Sequence, residues 1–95
     1  MSDKHYDIVW TSQFKKDYKL AMKRHLSIEF LDNVIRKLAS GEKLPEKNKD
    51  HALTGNWVGF RECHIEPNWL LIYRVDNNLL VLTLVRTGTH SDLLR

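Results

Sequence analysis

Five histidines stand in a chain of 95 residues, and three of them fall where elements of structure should meet. His51 lies in a long polar segment, His64 near the end of an apolar stretch, and His90 after the last such stretch, in Arg86-Thr-Gly-Thr-His. An imidazole titrates near neutral pH, so it can take a proton from a ribose 2′-hydroxyl or give one to a leaving 5′-oxygen. Alternation along a strand puts Glu62 and His64 on one face and Arg61 and Cys63 on the other, which places Glu62 to orient or charge-stabilise His64. Arg61 or Arg86 is suited to hold the extra negative charge of a pentavalent phosphate. For each histidine taken singly, a surface or hydrogen-bonded structural role is the ordinary alternative.

Other chemistries fit less well. A zinc site from Cys63, His51 and His90 would need a spacing that matches no known ligand pattern. No metal and no other cofactor is expected. A single cysteine closes no disulfide within the chain and suits a reducing compartment. The sequence holds no P-loop, no dinucleotide fingerprint and no G-x-S-x-G elbow.

The elements that must position these groups follow from hydrophobic spacing. His5 to Trp10 reads as a strand, and Thr11 or Ser12 can cap a helix on which Phe14, Tyr18, Ala21, Met22 and His25 share a face. Lys15, Lys16, Lys19 and Lys23 lie off that stripe, either as a solvated helix surface or as a ridge that contacts phosphates or an acidic protein. A second helix starts near Ser27, buries Ile28, Leu31, Ile35 and Leu38 with Val34 alongside, and stops at Gly41. Glu42 to Asn56 reads as a long loop, of the kind that often carries function.

Beyond it the pattern turns to strands over Trp57 to Ile65, Trp69 to Asp76 and Leu79 to Arg86, with Asn77-Asn78 as a two-residue hairpin turn. These predict an antiparallel meander with Trp57, Phe60, Trp69 and Tyr73 as core aromatics inside the strands. The order β-α-α-β-β-β makes residues 1–95 a single α+β domain, two N-terminal helices packed on a small antiparallel sheet.

Composition agrees with one folded unit. The chain is 42% hydrophobic and 28% charged, too apolar for disorder, and its length excludes a two-domain enzyme. Residues 1–49 carry eleven basic and seven acidic side chains, and residues 50–95 four and five. The cationic end favours an anionic partner, nucleic acid or acidic protein. The apolar runs are too short to span a membrane and the polar N-terminus lacks a secretory h-region, so no membrane partner and a cytoplasmic location are expected.

Three segments in order carry a family resemblance: Asp50-His-Ala-Leu-Thr-Gly-Asn-Trp, Gly59-Phe-Arg-Glu-Cys-His-Ile-Glu-Pro-Asn-Trp-Leu-Leu-Ile-Tyr, and Arg86-Thr-Gly-Thr-His. Together they resemble the YafQ branch of the RelE/ParE toxin superfamily, over nearly the whole chain and most densely over residues 50–90. The resemblance implies a RelE-like fold and a toxin of a type II toxin-antitoxin system. Such a toxin is a metal-independent endoribonuclease that cuts messenger RNA in the A site of the translating 70S ribosome and is silenced by a DinJ/RelB-like antitoxin. It assigns functional roles to His51, His64 and His90, with His90 protonating the leaving oxygen, and an acidic position to Glu62.

The basic first helix and the arginines would then hold RNA phosphates, and the lysines would also suit an acidic antitoxin segment. Two positions depart from the family pattern. Asn68 stands where Asp is common, and an amide cannot accept a proton as a carboxylate does, which would lower activity roughly 100- to 10,000-fold if that Asp is the general base and His51, His64 or Glu66 does not replace it. Leu94 stands where the resemblance implies an aromatic contact with an RNA base. A non-catalytic alternative therefore stays open: a ParE-like gyrase poison, or a protein kept for antitoxin binding and operator autoregulation.

Overall fold

The structure, a computed structural model, describes residues 5–93. Five strands form one sheet in the order β1-β5-β4-β3-β2: β1 Asp7–Trp10, β2 His51–Ala52, β3 Arg61–Glu66, β4 Trp69–Asp76 and β5 Val81–Gly88. Two long helices, α1 Ser12–Lys23 and α2 Ile28–Ala39, follow β1, and a short third, α3 His90–Leu93, follows β5. The helices pack on one face, where Phe14, Leu31 and Ile35 meet Leu71, Tyr73, Leu82 and Leu84. The other face has its own smaller cluster of Leu53, Leu70, Ile72 and Leu93, flanked by Trp57, Phe60 and Val85. Burial on both faces explains why the first five residues of β4 are all buried and why they read as a continuous apolar run.

The α+β order stands, and four details differ from the sequence expectation. The sheet is mixed, because β1 lies parallel to β5 with Asp7 opposite Val81 and Trp10 opposite Leu84. The first meander strand begins at Arg61, since Gly55–Trp57 forms a 3-10 turn and Gly59 takes φ +93°. Trp57 and Phe60 therefore pack edge to face outside the strands, at 5.5 Å. The last hairpin turns over Asn77 to Leu80 rather than two residues, because the Asp76 carboxylate accepts hydrogen bonds from the amides of Asn78 and Leu79, and Leu80 adopts φ +52°. Within the long loop, Glu46–Asn48 forms a 3-10 turn and His51–Ala52 adds the edge strand.

Capping fixes the helices as expected. Thr11 Oγ1 accepts from the Phe14 amide at 3.0 Å and donates to the Val85 carbonyl at 2.8 Å, tying the start of α1 to β5. Gly41, at φ +75°, ends α2 in a Schellman pair: its amide reaches Leu38 and that of Glu42 reaches Lys37. The buried side of α1 is Phe14, Asp17 and Ala21; Met22 is half exposed and His25 lies past the helix at φ +58°. Asp17 is buried because β1 ends before β5 does, and its carboxylate accepts from the Thr87 amide at 3.1 Å, where the strand has lost its neighbour. Among the described residues no helix is long and apolar enough to cross a membrane.

Candidate active site

Strand pairing assembles the site. Glu62 and His64 face the side of the sheet away from the long helices, opposite Ile72 and Leu70. A bulge between His64 and Glu66 leads into the β3–β4 turn, which carries Pro67 and Asn68. Leu70 pairs with Gly88, so the end of β5 lies beside that turn. His90, the first residue of α3, thereby brings Nδ1 to 3.0 Å from Asn68 Oδ1 and its ring to 6.0 Å from that of His64. His51 joins from β2: it stands opposite Glu62, with Nε2 at 3.4 Å from Glu62 Oε1. The result is a row of His51, Glu62, His64, His90 and Asn68. The sequence expectation paired Glu62 with His64. The two share a face, and Glu62 also meets His51 across the strands.

Hydrogen bonds fix the ring tautomers. A backbone carbonyl only accepts, so His64 Nδ1, 3.3 Å from the Pro67 oxygen, carries the proton and the neutral ring leaves a lone pair on Nε2. By the same logic the Asn68 oxygen holds a proton on His90 Nδ1 and leaves Nε2 for other work. His51 Nδ1 stands 3.1 Å from the Ala52 carbonyl, and its Nε2 faces Glu62 Oε1 at 3.4 Å.

A clamp that sequence reading missed holds His90 in place. Thr89 caps α3: its amide donates to Asp92 Oδ2 at 2.9 Å, and its hydroxyl accepts from the Asp92 amide at 3.1 Å. Arg24, just past α1, grips the same carboxylate through Nη1 at 2.6 Å and Nη2 at 3.3 Å. The Arg24 hydrogen bond and then the Thr89 amide hold the Asp92 carboxyl down at about 2. Gly88 must lack a side chain, because a Cβ there would come within 2.9 Å of Asp92 Cβ. The Thr89-x-x-Asp92 spacing is a capping-box signal legible in the sequence. The contribution of Arg24 is not, since it lies 68 residues away.

The predicted phosphate-binding residues are placed elsewhere. Arg61 points to the helix side, where Asp50 holds it at 3.2 Å and also accepts from the Tyr73 hydroxyl. Arg86 turns to α1 and is held by Asp17 at 2.9 Å. Lys15, Lys16, Lys19 and Lys23 are exposed along α1, and among the described residues none of the four enters an ion pair. Leu94 lies outside the described residues. Cys63 is fully buried on the helix side, where burial pushes its thiol far upward, and it shares no face with the histidines. Among the described residues no group of three or more His, Cys, Asp or Glu side chains is arranged to hold a metal ion.

Comparison with known proteins places this geometry in context. The family described as "Bacterial toxin of type II toxin-antitoxin system, YafQ" matches residues 6–95. The chain is 43% identical over 88 residues to the mRNA interferase toxin YafQ of Escherichia coli K12, covering 92% of this chain and 94% of that protein. The crystal structure of YafQ from E. coli BL21(DE3) superposes with a TM-score of 0.89 at 39% identity, over 96% of this chain and 100% of that one. YafQ in the crystal structure of the E. coli DinJ-YafQ toxin-antitoxin complex gives 0.87 at 40% identity, over 96% and 99%.

Proposed function

Because the chain belongs to the YafQ family of bacterial type II toxins, we propose that it is a ribosome-dependent endoribonuclease that cuts messenger RNA by metal-independent acid/base catalysis. The observation that carries this reading is the pair of imidazoles, His64 and His90, held 6.0 Å apart with their Nδ1 atoms engaged and their Nε2 atoms left for proton transfer.

In the proposed reaction His64 Nε2 takes the proton of the ribose 2′-hydroxyl, and the 2′-oxygen attacks the adjacent phosphorus. The bond to the 5′-oxygen breaks as His90, protonated on both ring nitrogens at this step, delivers its Nε2 proton to it, leaving a 2′,3′-cyclic phosphate and a 5′-hydroxyl. His51, held by buried Glu62, supplies positive charge to the pentavalent phosphate. Asn68 acts as the acceptor that orients His90, a task an amide oxygen performs as well as a carboxylate, while His64 takes the base role an amide cannot. The test is the chemistry of the ends: cyclic phosphate and 5′-hydroxyl support the scheme, whereas a 3′-hydroxyl with a 5′-phosphate contradicts it.

For partners, the match to YafQ in complex with DinJ supports a DinJ/RelB-like antitoxin, and the free lysines of α1 suit an acidic segment of it. The messenger in the A site and the 70S ribosome are the partners that the ribonuclease reading requires. One observation favours a non-catalytic binding protein instead: the position beside His90 holds the amide of Asn68, which cannot act as a base.

A further inference from the structure

A cleft of about 540 Å³ opens beside His64, between α2, the Glu46–Asn48 turn and the β3–β4 turn. Lys37, Lys47 and Lys49 are its basic lining residues against the one carboxylate residue, Glu66, and half-exposed Phe30 stands among them. The turn that presents two of these lysines is fixed to the strand that presents His64. Buried Asn48 donates from Nδ2 to the His64 carbonyl at 2.7 Å, and Lys49 closes the turn at φ +46° with its amide on Glu46. The lysines are therefore held in a set place relative to the histidine row.

The geometry points to this cleft as the seat of the RNA segment that adjoins the cleaved linkage, with Lys37, Lys47 and Lys49 on its phosphates and Phe30 against a base. The inference rests on the ribonuclease reading, since it is the strand being cut that must run past His64. A chain of phosphates matches the lysines in charge, and aromatic contact with a base tolerates any sequence. His64 is itself among the residues that line the cleft, so an occupant lies beside the strand that carries one of the proposed catalytic pair. None of the cleft's lysines belongs to the α1 ridge.

The test is fluorescence anisotropy with a short single-stranded RNA whose riboses are all 2′-O-methylated, so that it cannot be cleaved, titrated at several salt concentrations. For single strands each phosphate contact contributes about 0.7 to the slope of log affinity against log salt. The triple variant K37Q/K47Q/K49Q should thus lose about 2 from that slope and bind about tenfold or more weakly at low salt. The charge-keeping variant K37R/K47R/K49R should bind like the unaltered chain, with circular dichroism and thermal melting checking that both fold. Equal affinity and slope in the glutamine variant would overturn the assignment, as would a natural chain that fails to bind the RNA at low salt. Undiminished RNA binding with lost binding of an acidic Glu/Asp peptide would make the cleft a protein seat instead. Because the probe is uncleavable, a chain that binds it through these lysines yet cuts no messenger would sink the nuclease reading and leave the cleft in place.

Discussion

The guanidinium of Arg24 grips the carboxylate of Asp92 at 2.6 Å, and this contact joins the end of the first helix to the short helix that begins with His90. Arg24 and Asp92 touch no substrate in the proposed reaction; they are positioning residues for the imidazole that acts as acid. Misplacing a catalytic group by about 1 Å costs on the order of 100-fold in rate. Asp92→Asn should therefore lower kcat by about ten- to 100-fold with little change in KM, and Arg24→Lys, which keeps the charge but loses the fork, should lower it less. Steady-state cleavage kinetics check this. A fall in stability with kcat unchanged would make the pair purely structural.

The same contact sets an acid limit on the attachment of α3. The folded carboxyl of Asp92 sits at about 2, below its ordinary value, so the stabilisation is fully present above the ordinary carboxylate range and is lost as pH falls towards about 2. The hydrogen-exchange protection factor of the Leu93 amide, which donates to the Thr89 carbonyl at 3.1 Å, should fall over that window before those of the β4 amides do. In Asp92→Asn the exchange should be fast already at neutral pH.

Asn68 offers a readout of the acid. A carboxylate beside His90 would favour the doubly protonated ring, so Asn68→Asp should keep activity and move the limb of the pH–rate profile that reports the acid to higher pH. Asn68→Ala removes the acceptor at 3.0 Å and should slow cleavage by roughly tenfold or more. Profiles for the three chains, measured on one messenger, decide between this role and none.

Asp17 should matter for folding more than for chemistry. It is buried and receives both Arg86 and the Thr87 amide, so Asp17→Ala leaves a cation and a strand amide without their partner. A loss on the order of 3 kcal/mol is expected in denaturant unfolding. Asp17→Asn, which keeps one acceptor, should lose less.

Much of this architecture is legible from spacing alone. The α2 face, the Thr11 cap and the Gly41 stop follow from local periodicity and caps, and the parity that sets Glu62 and His64 opposite Cys63 follows from strand alternation. What local pattern could not carry is anything fixed by a distant partner. Arg61 and Arg86 read as free cations because Asp50 and Asp17 meet them only after folding. Strand parity sets Glu62 beside His64, but only the pairing of the short β2 strand brings His51 across from it. Nothing in the local sequence around Asp17 marks it as the partner of the Thr87 amide, which β5 presents beyond the end of β1. The histidine row depends on the β4–β5 register, and so on a contact between residues 22 apart, Asn68 and His90.

The most direct test of the ribonuclease account maps 5′ ends on a defined messenger in a reconstituted bacterial translation reaction, with and without ribosomes, for the natural chain and His90→Ala. The account predicts cuts at fixed codon positions that require ribosomes and vanish in the variant. Intact messenger with the folded natural chain, or undiminished cutting by His90→Ala, would contradict it.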